Sequence, residues 1–175
     1  MKAKDLIIYG SYPNFPVEGV NFIDLTPSLL DAKLTNELVT GLLELYVKDN
    51  DVHSKIDYII SPDARGFIWG SMVAQKYQLG FIPVRKVGKL PDDAILSTTN
   101  YDTEYSTTSL CLPHANIKDK KILFIDDVYA TGGTYKAVKE MVEKNGGILL
   151  GGAVLIDIEL DETEEIKSLM GVSEL

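Results

Sequence analysis

The chain has 175 residues, 45% of them apolar, 25% charged and 9% aromatic, the composition of an ordinary globular domain and not of a disordered or disulfide-stapled chain. Its 17 basic and 26 acidic residues give a net charge of −9, which argues against a protein built to wrap nucleic acid. A single cysteine, Cys111, excludes an internal disulfide; the absence of a basic and then apolar leader at Met1 favours the reducing cytoplasm, and no apolar run reaches the roughly 20 residues of a membrane span.

In chain order, Leu34, Leu38, Leu42 and Leu45 recur at helical spacing, and residues 56–60 (IDYII) form a short apolar run that stops at Ser61 and Pro62. Residues 66–78 read as a second helix, and 81–84 (FIPV) as a second strand. Residues 92–112, rich in Thr, Ser, Asp and Tyr without a clear period, predict a mobile excursion or ribbon outside the core. The run 122–125 (ILFI) is too short for a helix. Tyr135, Val138, Met141 and Val142 then mark an amphipathic helix closed by Gly146 and Gly147, and 152–158 (GAVLIDI) reads as a last buried strand. Near-continuous apolar strands separated by helices imply an α/β fold of one domain, a doubly wound and mainly parallel sheet with helices on both faces. Residues 157–165 (DIELDETEE) carry six carboxylates and read as a solvated face, while 85–89 (RKVGK) and 118–121 (KDKK) are basic islands in an acidic chain.

Chemistry in such a sheet sits beyond the carboxyl ends of the strands, and three segments lie there. After 122–125 come Asp126, Asp127, Val128, Tyr129, Ala130, Thr131, Gly132, Gly133 and Thr134, opening a helix. Small residues let backbone N–H groups close around an anion, and the two threonines add hydroxyl donors at the positive end of the helix. No Gly-Lys-Ser/Thr follows, so this phosphate cradle is not that of a nucleotide hydrolase. Two adjacent carboxylates would repel a phosphate unless they face something else, and the vicinal hydroxyls of a sugar are the natural candidate. The second segment is Ser61-Pro62-Asp63-Ala64-Arg65-Gly66-Phe67, and the third brings Arg85, Lys86 and Lys89 within five residues. With Arg65 facing them, these cations make a seat for a second, highly charged anion. His53 and His114 lie in polar connections without a second ligand at metal spacing and read as surface residues, Trp69 reads as core, and Cys111 has no partner that marks a nucleophile.

The segment ILFIDDVYATGGT resembles the 5-phosphoribosyl-1-pyrophosphate (PRPP) motif of type I phosphoribosyltransferases, and the wider set resembles the adenine phosphoribosyltransferases. The other matching pieces are FPVEGVNFIDLTPSLLD (15–31), DARGFIWG (63–70), GFIPVRKVGKLP (80–91) and YDTEY (101–105). The resemblance implies a small N-terminal hood at about 1–30, a flexible active-site loop at about 92–112, and transfer of the phosphoribosyl group of PRPP to adenine. The alternatives are a hypoxanthine or guanine enzyme, or a non-catalytic PRPP-binding regulator on the same fold. By resemblance, Asp126 and Asp127 bind the ribose hydroxyls and Ala130, Thr131, Gly132, Gly133 and Thr134 hold the 5-phosphate. Asp63, Ala64, Arg65 and Gly66 form a pyrophosphate loop, often with a non-proline cis peptide, and Arg85, Lys86 and Lys89 neutralise the pyrophosphate. The same resemblance implies that Asn21, Phe22 and Val128 bind the purine and that Glu104 and Tyr105, with Arg65, are the catalytic residues. The implied cofactor is Mg2+, held mainly by PRPP and water and not by a protein cage; the implied assembly is a homodimer that binds neither nucleic acid nor membrane. Ile23 stands where the family usually carries a basic residue, Ser106 where it has glycine, and the C-terminal end lacks the family's basic stretch and final aromatic strand.

Overall fold

Two short strands, β1 (Gly10–Pro13) and β2 (Asn21–Asp24), pair antiparallel near the start of the chain. They are followed by α1 (Thr26–Leu29), α2 (Ala32–Glu44), α3 (Val52–Lys55), β3 (Tyr58–Pro62), α4 (Arg65–Lys76), β4 (Gly80–Lys86), β5 (Ile95–Asp102), β6 (Thr107–Pro113), β7 (Lys121–Tyr129), α5 (Gly133–Lys144), β8 (Ile148–Asp157) and β9 (Ile166–Gly171). This computed structural model describes residues 3–47, 52–102, 107–158, 160 and 163–171.

Among the described residues seven strands form one sheet in the order β5-β6-β4-β3-β7-β8-β9, in which β3, β4, β7, β8 and β9 run parallel and the β5–β6 pair is antiparallel. Alternation along the parallel strands sends side chains to opposite faces and makes two cores. On one face Ile59, Leu123 and Leu155 pack with Leu38 and Leu42 of α2 and Trp69 and Val73 of α4; on the other, Ile60, Phe124 and Val154 pack with Tyr135, Val138 and Met141 of α5. Helix α2 starts at Asp31, whose carboxylate accepts from the N–H groups of Lys33 and Leu34 at 2.9 and 3.1 Å, satisfying two donors that a helix start leaves unpaired.

The two crossovers leave the middle of the sheet in opposite directions. From β3 the chain passes through α4 to β4 on one side, and from the adjacent β7 it passes through α5 to β8 on the other. The carboxyl ends of β3 and β7 therefore bound a topological switch point, with the N-termini of α4 and α5 opening beside it.

Three features depart from the periodicity reading. Strand β7 continues through Asp126 and Asp127 to Tyr129, because its backbone stays paired with Val154, Ile156 and Asp157 of β8, and the ladder extends the strand beyond the apolar run. Residues 95–102 and 107–113 do form a ribbon, but not one outside the core. Strand β6 pairs with β4 through Arg85–Cys111 and Lys86–Leu110, and Leu110, Cys111 and Leu112 are buried. Strand β9 was hidden by Lys167 and Ser168, which break its apolar pattern; it joins as a parallel edge strand with Ile166 and Met170 buried.

Candidate active site

A cavity of about 940 Å3 opens at the switch point, a size suited to a small-molecule substrate. Its floor is the end of β7. Asp127 is 3% exposed, and each carboxylate of the pair is aimed by the next backbone N–H: Asp127 N donates to Asp126 Oδ1 at 2.8 Å and Val128 N to Asp127 Oδ1 at 2.8 Å. Arg65 Nε donates to Asp127 Oδ2 at 3.0 Å. Burial, and then the neighbouring charge of Asp127, push the Asp126 carboxyl well above the usual carboxylate range. Burial also raises Asp127, with Arg65 opposing the shift. Two carboxylates facing one guanidinium favour a ligand that brings hydroxyl donors or positive charge and disfavour a bare phosphate at this point of the wall.

The anion seats lie on either side. Ala130, Thr131, Gly132, Gly133 and Thr134 all line the cavity where the chain turns from β7 into α5. Gly132 caps that helix with φ at 78°, a left-handed conformation that glycine adopts without a Cβ clash, and this turn leads the first N–H groups of a 12-residue helix toward the cavity. Across the switch point, Asp63, Ala64, Arg65 and Gly66 line the cavity at the start of α4, and the Asp63–Ala64 peptide is cis, as the family resemblance implies.

The three predicted cations separate in space. Lys86 lines the cavity and is exposed. Arg85 turns to the loop itself: its Nε donates to Asp63 Oδ2 at 3.1 Å and its guanidinium sits 5.7 Å from the centre of the Phe67 ring. Lys89 is exposed on the turn beyond β4, where its N–H donates to the Lys86 carbonyl, and it is not among the lining residues.

The hairpin of β1 and β2 supplies the remaining wall through Asn21 and Phe22, and Val128 lines the cavity as well. Phe15 packs edge-on against Phe22 with centroids 5.3 Å apart. Ile23, standing where a basic side chain was implied, is 5% exposed and sends its side chain into the core. Its carbonyl instead receives a hydrogen bond from Arg65 Nη1 at 3.0 Å, so the guanidinium at this corner comes from the start of α4. Glu104 and Tyr105 lie outside the described residues.

Sequence reasoning missed Pro16, Gly19 and Val20 in the hairpin loop, Thr108 of β6, and Ile158 and Leu160. The last two lie in the acidic run expected to be a solvated face. Two apolar residues at alternate positions among carboxylates were the signal that one side of that run meets a surface.

The family model for the phosphoribosyl transferase domain matches residues 27–173. The chain belongs to the phosphoribosyltransferase family. At the sequence level this phosphoribosyltransferase is 41% identical over 160 residues to the adenine phosphoribosyltransferase of Streptococcus thermophilus, covering 91% of its own chain and 88% of that relative. Its fold is that of the type I members, with the small antiparallel sheet added. It superposes on adenine phosphoribosyltransferase from Thermoanaerobacter pseudethanolicus with a TM-score of 0.83 at 34% identity, covering 97% of this chain and 99% of that one. The Saccharomyces cerevisiae enzyme, solved with adenine and D-2,5-dideoxy-2,5-imino-altritol 1,6-bisphosphate, gives a TM-score of 0.84 at 30% identity, covering 95% and 97%. The Giardia lamblia enzyme, solved with 9-deazaadenine, gives 0.83 at 28% identity, covering 98% of each chain.

Proposed function

We propose that this phosphoribosyltransferase transfers the phosphoribosyl group of PRPP to adenine, giving AMP and pyrophosphate in purine salvage. The observation that carries the reading is a single cavity joining a carboxylate pair, a helix-capped anion loop and a cation-flanked second loop, in a chain 41% identical to an adenine phosphoribosyltransferase.

In this reading Asp126 and Asp127 accept the ribose 2- and 3-hydroxyls, and Ala130 to Thr134 hold the 5-phosphate. The loop Asp63 to Gly66 takes the pyrophosphate, with Arg85 bracing it through Asp63 and Lys86 and Lys89 supplying charge from the β4 side. Asn21, Phe22 and Val128 hold the purine between the hairpin and the end of β7. The bond from the anomeric carbon to the pyrophosphate oxygen breaks and a bond to the purine nitrogen forms, while the ribose ring takes on positive charge. Carboxylates under the ribose and cations at the leaving group stand where charge develops, which is the arrangement that lowers a barrier electrostatically. Glu104, beside Tyr105 in the chain, takes the proton that the purine nitrogen gives up.

The donor set suits Mg2+, a hard ion that keeps much of its water. By the family resemblance, PRPP oxygens and water would be its principal ligands, with Asp126 and Asp127 facing that ligand shell. The chemistry Mg2+ supplies when bound is neutralisation of charge on the leaving pyrophosphate. The family resemblance also supports a cytoplasmic homodimer; among the described residues no helix is long and apolar enough to cross a membrane.

A competition assay tests the assignment: equal adenine, hypoxanthine and guanine with PRPP and Mg2+, read by separating the nucleotides formed. AMP as the dominant product is expected. IMP or GMP in its place would assign another base, and tight PRPP binding with no nucleotide formed would favour a regulator.

A further inference from the structure

Arg65 makes three contacts that belong to two different parts of the site. Its Nε is 3.0 Å from Asp127 Oδ2 on β7, its Nη1 donates to the Ile23 carbonyl on β2 at 3.0 Å, and its Cζ lies 5.0 Å from the centre of the Phe22 ring on the same strand. The planar guanidinium fork thus links the carboxylate read as a ribose acceptor to the strand and ring read as the base wall. Its backbone meanwhile sits in the loop read as the pyrophosphate seat. Nothing in the reaction itself requires a side chain from that loop to reach β2.

Resting on the proposed function, we infer that Arg65 is a positioning residue that couples the sugar half of the site to the base half. It sets where Phe22 and the Ile23 backbone stand relative to Asp127. Hydroxyls arriving at Asp127 and a pyrophosphate arriving on the loop both act on the group that holds β2, so occupancy of the PRPP site changes affinity for the base. The change is reciprocal, because coupling between two binding sites is a shared free energy. A lysine at position 65 keeps the charge, but as a point donor it cannot hold Asp127, a backbone carbonyl and an aromatic face together.

The test uses Mg–PRPP and the inert base analogue 9-deazaadenine, with calorimetry giving the dissociation constant of each ligand with and without the other. In the wild type each ligand is expected to tighten the other by the same factor, about fivefold or more. Arg65→Lys and, from the other end of the contact, Phe22→Leu should each bring that factor below about twofold, with no further loss in the double variant. Circular dichroism of each variant checks the fold, and should one fail to fold, the other carries the test. A merely structural role would weaken binding but leave the ratio alone. An unchanged ratio in the folded variants, or a ratio of one in a wild type that binds both ligands, would overturn the coupling only. A wild type that binds neither ligand would overturn the functional reading and the coupling with it.

Discussion

Placing two adjacent carboxylates in the cavity wall against one guanidinium costs the free protein stability, because desolvation and like charge act on both. Burial and then the adjacent charge of Asp127 push the Asp126 carboxyl up, so its removal should stabilise the fold while damaging the site, a common trade at functional positions. At neutral pH, Asp126→Asn should raise Tm by a few degrees, since about 1 kcal/mol moves Tm by roughly 2–4 °C in a chain of this size. It should also weaken Mg–PRPP by about tenfold to a hundredfold, the loss expected for a hydrogen bond to a charged group. Thermal melts and calorimetry check the two halves. The sign of the pH dependence follows from linkage: with the native carboxyl shifted up, the folded state binds more protons than the unfolded one from near 3.8 upward to the native pKa. Stability from this group therefore falls as pH rises through that window, and the advantage of Asp126→Asn should vanish when the pH is lowered below it. Glu104→Gln addresses the chemistry instead: kcat should fall by about 10² to 10⁴, with PRPP affinity unchanged in a direct binding assay.

Between elements, the joint of β3 and α4 sets the loop Asp63 to Gly66, proposed above as the pyrophosphate seat, and it is packed without slack. A Cβ at Gly70 would come within 1.9 Å of Ser61 Oγ, and that hydroxyl is buried with no hydrogen-bond partner among the described residues. Gly70→Ala should therefore cost about 1–3 kcal/mol through overpacking, and Ser61→Ala should be neutral or stabilising by about 1 kcal/mol. The penalty of Gly70→Ala should shrink when Ser61→Ala is also present, which urea denaturation of the four proteins would reveal as non-additivity. At the far edge, Glu165 bonds Lys139, which lowers its carboxyl, and its backbone carbonyl accepts from the Tyr46 hydroxyl. This tie from the acidic run to α5 and to the end of α2 was invisible in a stretch that reads as surface charge. The β5–β6 pair shows the same limit. Thr99 Oγ1 donates to Glu140 of α5 at 3.0 Å, and Leu110 and Leu112 enter the core, yet neither contact leaves a local period in Thr- and Ser-rich strands. Long-range partners decide such segments, whereas α2, α4, α5 and the parallel strands carry their burial pattern in their own spacing.

At the scale of the whole molecule, the order of the strands brings together residues far apart in the chain. Asp63 to Gly66 and Asp126 to Thr134 were legible because each follows an apolar run and opens a helix, and the sheet rule places such segments at one edge. The corner at Ile23 was not legible. Whether the missing cation was lost or supplied from elsewhere depends on the side chain of Arg65 crossing from α4 to β2, a contact across 42 positions in sequence. The departure of Arg85 toward Asp63 was hidden for the same reason, since spacing alone groups it with Lys86. In the proposed function a single cavity binds the sugar, its 5-phosphate and the base at the three walls described. The most direct measurement is a crystal structure of the protein soaked with AMP. The account predicts ribose hydroxyls within hydrogen-bond distance of Asp126 and Asp127, the phosphate on the N–H groups of Ala130 to Thr134, and the adenine against Phe22 and Val128. A phosphate seated instead on the loop Asp63 to Gly66, or an adenine away from β2, would contradict it.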